Sequence, residues 1–393
     1  MLKDRGVTTQ GYIDALLDFD MPAIGDEVGA IIGSVAFDLE KKPERDFMES
    51  TYTDSYYSIG RDRYKAQSAL CAKLNAGRPN PLTLEAVLNF THEPAAARYD
   101  EHGDLYVIDT QGNLHLFRGK EEINQWQLAL KGNEFLPNYI GDLVILPSIA
   151  VHKDLAFLTS SGGGLEKFSL HDEPIPREGI IPYSADALGH RRPDMRITYH
   201  DVLIKGGNVF VSTTNEHGGR RISQVLPEGT QKVYSGQYPV RWMKNSFEDH
   251  TLRLGLHQEN LYFPEDTGLS VLTPQGPKEM LGEYVRRLEE ADTMNPCTKF
   301  TFGSDFLAAS VQFREGKQLP MLTIFTPVYH TPEGALADPR QPVYPDRFSL
   351  RHVQYLPKIT GKSIVASSFA AHGNHLAITH PGLHKTFLYR VDV

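Results

Sequence analysis

The chain has 393 residues, 40% hydrophobic and 23% charged, which is the mix of a folded globular protein with ample length for a sizeable core. Its formal net charge of -9 argues against a phosphate-backbone binder, and it contains no apolar run of about 18 residues that would span a bilayer. The two cysteines, Cys71 and Cys297, are too few and too far apart for a disulfide framework or a paired zinc site. The expectation is a cytoplasmic protein engaging neither nucleic acid nor membrane, since Asp4, Asp14, Asp18, Asp20 and Asp26 leave no room for a secretory signal.

Residues 1–83 read as a partly helical extension. "TTQGYIDALLDFDMP" puts Ile13, Leu16 and Leu17 on one stripe and stops near Pro22. "AIIGSVAFDL" is strand-like, and "STYTDSYYS" is polar and aromatic. "DRYKAQSALCAKLNAG" then offers Asp62 as an N-cap, Leu70 and Leu74 on one face, and Gly77 as a stop. The next segment, "LEAVLNF" at 84–90, is strand-like with no partner nearby in the sequence.

From residue 103 a unit begins to recur. "GDLYVIDTQGNLHLFR" holds a turn dipeptide, an apolar strand, a polar turn with glycine and a second strand. Related copies are "KDLAFLTSSGGGLEKFSL", "GNVFVSTTNEHGGRRISQV", "ENLYFPEDTGLSVL", "SDFLAASVQFREGKQLPML" and "GNHLAITHPGLHKTFLYRV". Their leading turn residues, Asp104, Asp154, Asn208, Asn260, Asp305 and Asn374, follow one another about every 50 residues. Asp and Asn brace a tight turn through the side chain, and Gly supplies positive φ between paired strands. "LYVI", "LAFL" and "VFV" are apolar on successive residues, so both faces of these strands are covered.

Such a period of short strands resembles the β-propeller superfold, from about residue 84 to 393. "GDLYVIDTQGNLHLF" is similar to the repeats of quinoprotein-type bacterial propellers, although their tryptophan docking motif is missing. The WD-repeat and kelch signatures are also absent, since Trp126 is followed by Gln and Trp242 by Met, and the glycine pairs of "KGGN" and "HGGR" do not recur in place. The resemblance implies an all-β ring of four-stranded antiparallel blades over 84–393. Six blades account for that span, with strand 84–90 completing the last; a seventh would have to come from 1–83.

Function is sought in the connections. Turns between first and second strands are tight, as in "DEHGD" and "HQEN", while the links from one unit to the next read as long, at roughly 131–147, 182–195, 237–249, 284–296 and 327–362. Insertions gathered on one face of a repeat array mark a binding face. These links carry Arg191, Arg192 and Arg196, then Arg241, Trp242 and Phe247, then Tyr329, Tyr344 and Arg347, residue types that dominate binding hot spots. The primary expectation is a non-catalytic platform for another protein or peptide, with no cofactor.

The second expectation belongs to another class. His102, His152 and His372 sit two residues before a leading turn residue and His257 sits three before, so they share one corner of the unit. Imidazoles converging there, with Asp100 or Glu101, would hold a divalent metal and support a hydrolase or lyase acting on a small molecule or sugar in the central channel. There is no nucleophile elbow, P-loop, H-E-x-x-H or dinucleotide fingerprint. Pairs such as Asp100 with Asp104, or Asp201 with His200, could do acid or base work only if the channel walls bring them together.

Overall fold

The computed structural model describes residues 75–128, 138–140, 143–145, 147–160, 164–170, 177–181, 197–215, 219–225, 231–239, 253–265, 268–273, 276–279, 300–311, 321–329, 345, 347–354, 368–380 and 384–393. The expected N-terminal helices therefore lie outside the described residues, up to a turn where Arg78 N–H donates to Asn75 O (2.9 Å) and Gly77 takes φ +72°.

These residues form six four-stranded antiparallel sheets, each a simple meander. Sheet 1 comprises Pro94–Tyr99, Leu105–Asp109, Asn113–Arg118 and Glu121–Gln127. Sheet 2 comprises Ser148–His152, Leu155–Ser160, Gly164–Ser169 and Arg177–Ile181. Sheet 3 comprises Ile197–Lys205, Asn208–Asn215, Gly219–Val225 and Gln231–Pro239. Sheet 4 comprises Gly255–His257, Asn260–Glu265, Gly268–Thr273 and Gly276–Glu279. Sheet 5 comprises Phe300–Phe302, Leu307–Val311, Met321–Val328 and Arg347–Gln354. Sheet 6 takes Ser368–His372, His375–His380 and Lys385–Val391 from the C-terminal end and Leu82–Asn89 as its fourth strand. A small two-stranded ladder pairs Asn138–Ile140 with Leu143–Ile145.

In sheet 1 the reversals are braced by Asp100 and Asp109, while the leading Asp104 donates its backbone N–H to Asp100 and pairs its carboxylate with Arg118. Asp100 Oδ1 accepts from the backbone of His102 (2.8 Å) and Asp104 (3.0 Å), and Gly103 takes φ +84°. One turn later, Asp109 Oδ1 accepts from Gln111 N (2.8 Å) and Asn113 N (2.9 Å), with Gly112 at φ +81°. A short carboxylate thus replaces the ladder bonds lost at each reversal, and glycine takes the left-handed corner without steric cost.

The second strands explain the unbroken apolar runs. In Leu105–Asp109, Leu105 and Val107 pack toward sheet 6 with Ala370, Ala377 and Leu388, whereas Tyr106 and Ile108 pack toward sheet 2 with Val151, Ala156 and Leu158. In sheet 2 the alternation repeats, since Ala156 and Leu158 face sheet 1 and Phe157 faces Val202, Val209 and Val211 of sheet 3. Leu203 and Ile222 of sheet 3 meet Leu254, Leu261 and Phe263 at sheet 4. Sheets 4 and 5 meet through Tyr262 and Phe302, whose ring centroids lie 4.5 Å apart. Ala308, Leu322 and Ile324 of sheet 5 pack on Phe369, Leu376 and Ile378 of sheet 6, and sheet 6 returns to sheet 1. Each second strand is thus buried on both faces, and the core is a ring of intersheet layers. The innermost strands converge on the axis, where the small residues Ala95, Ala96 and Ala97 let the backbones approach.

One expected link is corrected. In sequence, residues 327–362 read as leading from the fifth unit to the sixth, but Met321–Val328 pairs with Arg347–Gln354 from Val328↔Arg347 to Leu322↔Gln354. Residues 329–346 therefore join the third and fourth strands of sheet 5, and the link to sheet 6 is 355–367. The strand is hard to see in "RFSLRHVQ" because Arg351 is exposed between the buried Leu350 and His352. Its outer edge is met by Asn75, whose Nδ2 donates to Val353 O and whose Oδ1 accepts from Val353 N, both at 2.8 Å.

Core positions between sheets should carry the stability. Leu158→Ala, fully buried between sheets 1 and 2, is expected to cost about 3 kcal/mol, whereas Ile123→Ala on the outer strand, 49% exposed, stays within about 0.5 kcal/mol. Urea midpoints of the two variants check this, and equal midpoints would refute the intersheet core.

Candidate binding site at the ring axis

Because each sheet begins on the innermost strand, the turns between first and second strands fall on one side of the ring. Links from an outer strand to the next inner strand fall on the other. Links 129–147, 182–196, 240–252, 280–299 and 355–367 all belong to that second side.

The turn side is laced from sheet to sheet. His372 of sheet 6 lies over Gly103 of sheet 1, where an added Cβ would come 2.8 Å from the imidazole Cδ2. Glu101 Oε1 of sheet 1 stands 3.6 Å from His152 Nδ1 of sheet 2, whose ring also approaches Gly207 of sheet 3. Lys205 Nζ of sheet 3 donates to the carbonyl of Glu259 in sheet 4. His257 of sheet 4 bonds the backbone of Gly303 in sheet 5, and Ser304 N donates to Gly373 O of sheet 6 (2.7 Å). Contacts of this kind recur from sheet to sheet around the ring.

Three of the four candidate metal-binding histidines are therefore engaged between sheets. His102 is the other; its side chain is 76% exposed and its Nε2 is 3.7 Å from Glu101 Oε1. Glu101 thus lies between His102 and His152, while His257 hydrogen-bonds Tyr329 Oη and stacks on Phe302 at 5.0 Å. Among the described residues no group of three or more His, Cys, Asp or Glu is arranged to hold a metal ion. Burial pushes the His257 pKa down, and burial with nearby Asp305 pushes the Tyr329 phenol up to about 12. Both shifts favour the uncharged forms of the pair.

Tyr329, singled out in the sequence as a partner-binding residue, thus stands on the turn side. Arg347 opens the fourth strand of sheet 5 opposite Val328. Arg191, Arg192, Arg196, Arg241, Trp242, Phe247 and Tyr344 lie outside the described residues.

The most heavily partnered charge in the described chain sits on the innermost strands. The register of sheet 3 shifts between Tyr199 and Asp201, a bulge that re-aims the strand at His200. Asp201 is fully buried, and four neighbouring sheets meet at its carboxylate. Oδ1 accepts from Arg98 Nη2 of sheet 1 (2.7 Å), from Ser148 Oγ of sheet 2 and from Val202 N (3.0 Å); Oδ2 accepts from Leu254 N at the start of sheet 4 (2.6 Å). Arg253 adds a second guanidinium with Nη1 3.6 Å from Oδ1. Read from sequence, Asp201 is only a possible acid or base partner of His200, and Arg98, Ser148 and Arg253 are missed. The available signal is a charge inside an otherwise apolar inner strand, as in "AAARY" and "LRLGL".

A second buried charge bolts sheet 1. His115 Nδ1 lies 2.7 Å from Glu122 Oε1, its Nε2 faces Asp109 Oδ2 at 3.6 Å, and Phe90 meets the ring edge-on at 5.2 Å. Burial works against the imidazolium, but Asp109 and Glu122 outweigh it and the His115 pKa is raised.

No protein-family model and no curated protein matches the sequence. Solved structures do share its shape. A catalytically inactive virginiamycin B lyase from Staphylococcus aureus with quinupristin aligns at 11% identity and TM-score 0.41, over 79% of this chain and 99% of that one. The β-propeller domain of Cps50 (Swd1) from Myceliophthora thermophila aligns at 10% and 0.45, over 79% and 100%. An oxidoreductase (glucose dehydrogenase) from Thermus thermophilus aligns at 14% and 0.41, over 78% and 99%. The closed ring of meandering sheets decides the matter. The fold is a β-propeller. These likenesses speak to the fold alone.

The Asp201 and His115 clusters of the propeller can be tested separately. Asp201→Asn, which leaves Arg98 and Arg253 facing an uncharged amide, should destabilise by about 3–5 kcal/mol in chemical denaturation; a loss below about 1 kcal/mol would deny Asp201 its joining role. For His115 the raised pKa means that its contribution is complete below the unfolded value near 6.5 and fades as pH climbs through the folded value. Glu122→Gln should therefore lower the melting temperature more at pH of about 5.5 than at about 8.5, and a pH-independent difference would contradict the coupling.

Proposed function

We propose that this chain is a six-bladed propeller serving as a binding platform for another protein or peptide, using the face from which the long links leave. The observation supporting this reading is the asymmetry of the ring. On one side contacts between neighbouring turns recur around the ring; on the other, five of the six sheet-to-sheet connections are long, the exception being 90–93. A stitched face has little freedom to fit a partner, whereas long connections on a rigid scaffold are where recognition surfaces are built. Arg191, Arg192, Arg196, Arg241, Trp242 and Phe247 all fall in those links by chain position. Trp and Arg combine large buried area with polar bonding, which suits an anchor.

Among the described residues no helix is long and apolar enough to cross a membrane. The test is chemical crosslinking and affinity capture of the full chain from its source. Arg241→Ala combined with Trp242→Ala should lose the captured partner at least about tenfold with an unchanged melting temperature. Arg118→Ala, in the exposed pair with Asp104 beside the tight turns, should retain it. Capture lost by the Arg118 variant and kept by the double variant would place binding on the opposite face and end this reading.

A further inference from the structure

We infer that the axis of the ring is an anion site in which Arg98 receives a carboxylate or phosphate oxygen. The inference stands apart from the platform reading, because it rests on the innermost strands and not on the links.

The first argument is the saturation of Asp201. Its oxygens already accept from Arg98, Ser148, Val202 and Leu254, and a carboxylate offers about four lone-pair sites. The Arg253 guanidinium also stands 3.6 Å from Oδ1, the oxygen that Arg98 uses. Arg98 therefore receives a single bond at 2.7 Å where an uncrowded carboxylate would have offered a two-bond fork. The buried acid holds the guanidinium in place and, among the described residues, takes a single one of its donors.

The second argument is accessibility. Asp201 is sealed, whereas the Arg98 side chain is 21% exposed on an innermost strand, where exposure opens to the axis. Among the described residues Arg98 engages Asp201 alone, through one Nη2. A guanidinium carries five N–H donors in a planar fork, and the bond to Asp201 uses one of them. That bond matters for affinity. An arginine already oriented by a buried carboxylate gives up little side-chain entropy on binding, and its fork suits a two-oxygen acceptor.

The experiment uses the full chain with sodium phosphate and sodium acetate as probes and sodium chloride at matched ionic strength as reference, read by thermal shift and titration calorimetry. A saturable response to phosphate or acetate beyond that of chloride is expected, and which of the two responds identifies the phosphate or the carboxylate source. Arg98→Gln should weaken that response at least about tenfold, and Arg98→Lys, which keeps the charge but not the fork, should weaken it severalfold. Arg118→Gln should leave it unchanged. If neither probe exceeds chloride, or if Arg98→Gln responds as the unaltered chain does, the inference is overturned. Should Arg98→Gln fail to fold, the Lys variant decides: undiminished affinity there refutes the role of the fork. The platform experiment reads a different face, so the failure of either leaves the other standing.

Discussion

A single buried carboxylate holds four of the sheets in register around the axis. Asp201 sits where innermost strands converge, and its oxygens take donors from sheets 1, 2, 3 and 4. Intersheet layers of Leu, Ile, Val and Phe supply the bulk of the cohesion, but apolar contact is non-directional and would tolerate one sheet sliding on the next. A saturated carboxylate does not tolerate it, because a shift of about 1 Å leaves a charge buried without its donors. The layers hold the ring together, and Asp201 fixes its arrangement.

Closure imposes the second constraint. Five sheets are sequence-local meanders, each built from consecutive strands. Sheet 6 cannot be local, since Leu82–Asn89 pairs with Lys385–Val391 at the far end of the described chain. The bonds that secure this join are backbone ladders together with Phe90 N to His384 O and Asp392 N to Pro81 O. His115 stands beside this seam through Phe90, so its charge state acts where the first and last parts of the chain meet.

How much is legible in the sequence follows from the range of each signal. The hairpins are plain there, because Asp104 and Gly112, or Asn374 and Gly382, mark local reversals and "LYVI" records burial on two faces within four residues. Arg347–Gln354 is hidden because prolines and arginines precede and interrupt its apolar positions, so that a strand reads as part of a link. The recurrent histidine corner is visible too. What sequence does not convey is that each corner meets a turn of the next sheet, as His372 meets Gly103 and His257 meets Gly303. The axis cluster is least visible of all. Arg98, Asp201 and Arg253 lie on different units, and only the curvature of the whole ring brings them together.

The division between the two faces gives the architecture its freedom. Stitches on the turn side depend on residues within one or two positions of a tight reversal, so the length of the links on the other side does not disturb them. The chain can therefore vary what it presents on the link face while the junctions stay fixed. The same separation bears on electrostatics. The chain carries a net charge of -9, which repels anions at long range, yet salt near physiological strength screens exposed charges beyond about 8 Å. A group at the axis feels chiefly what stands beside it, which is the half-open Arg98 fork, while the one carboxylate of the cluster is sealed behind its own donors. An acidic protein can thus present a cationic fork at its axis, because the ring places that charge where the rest of the surface is screened from it.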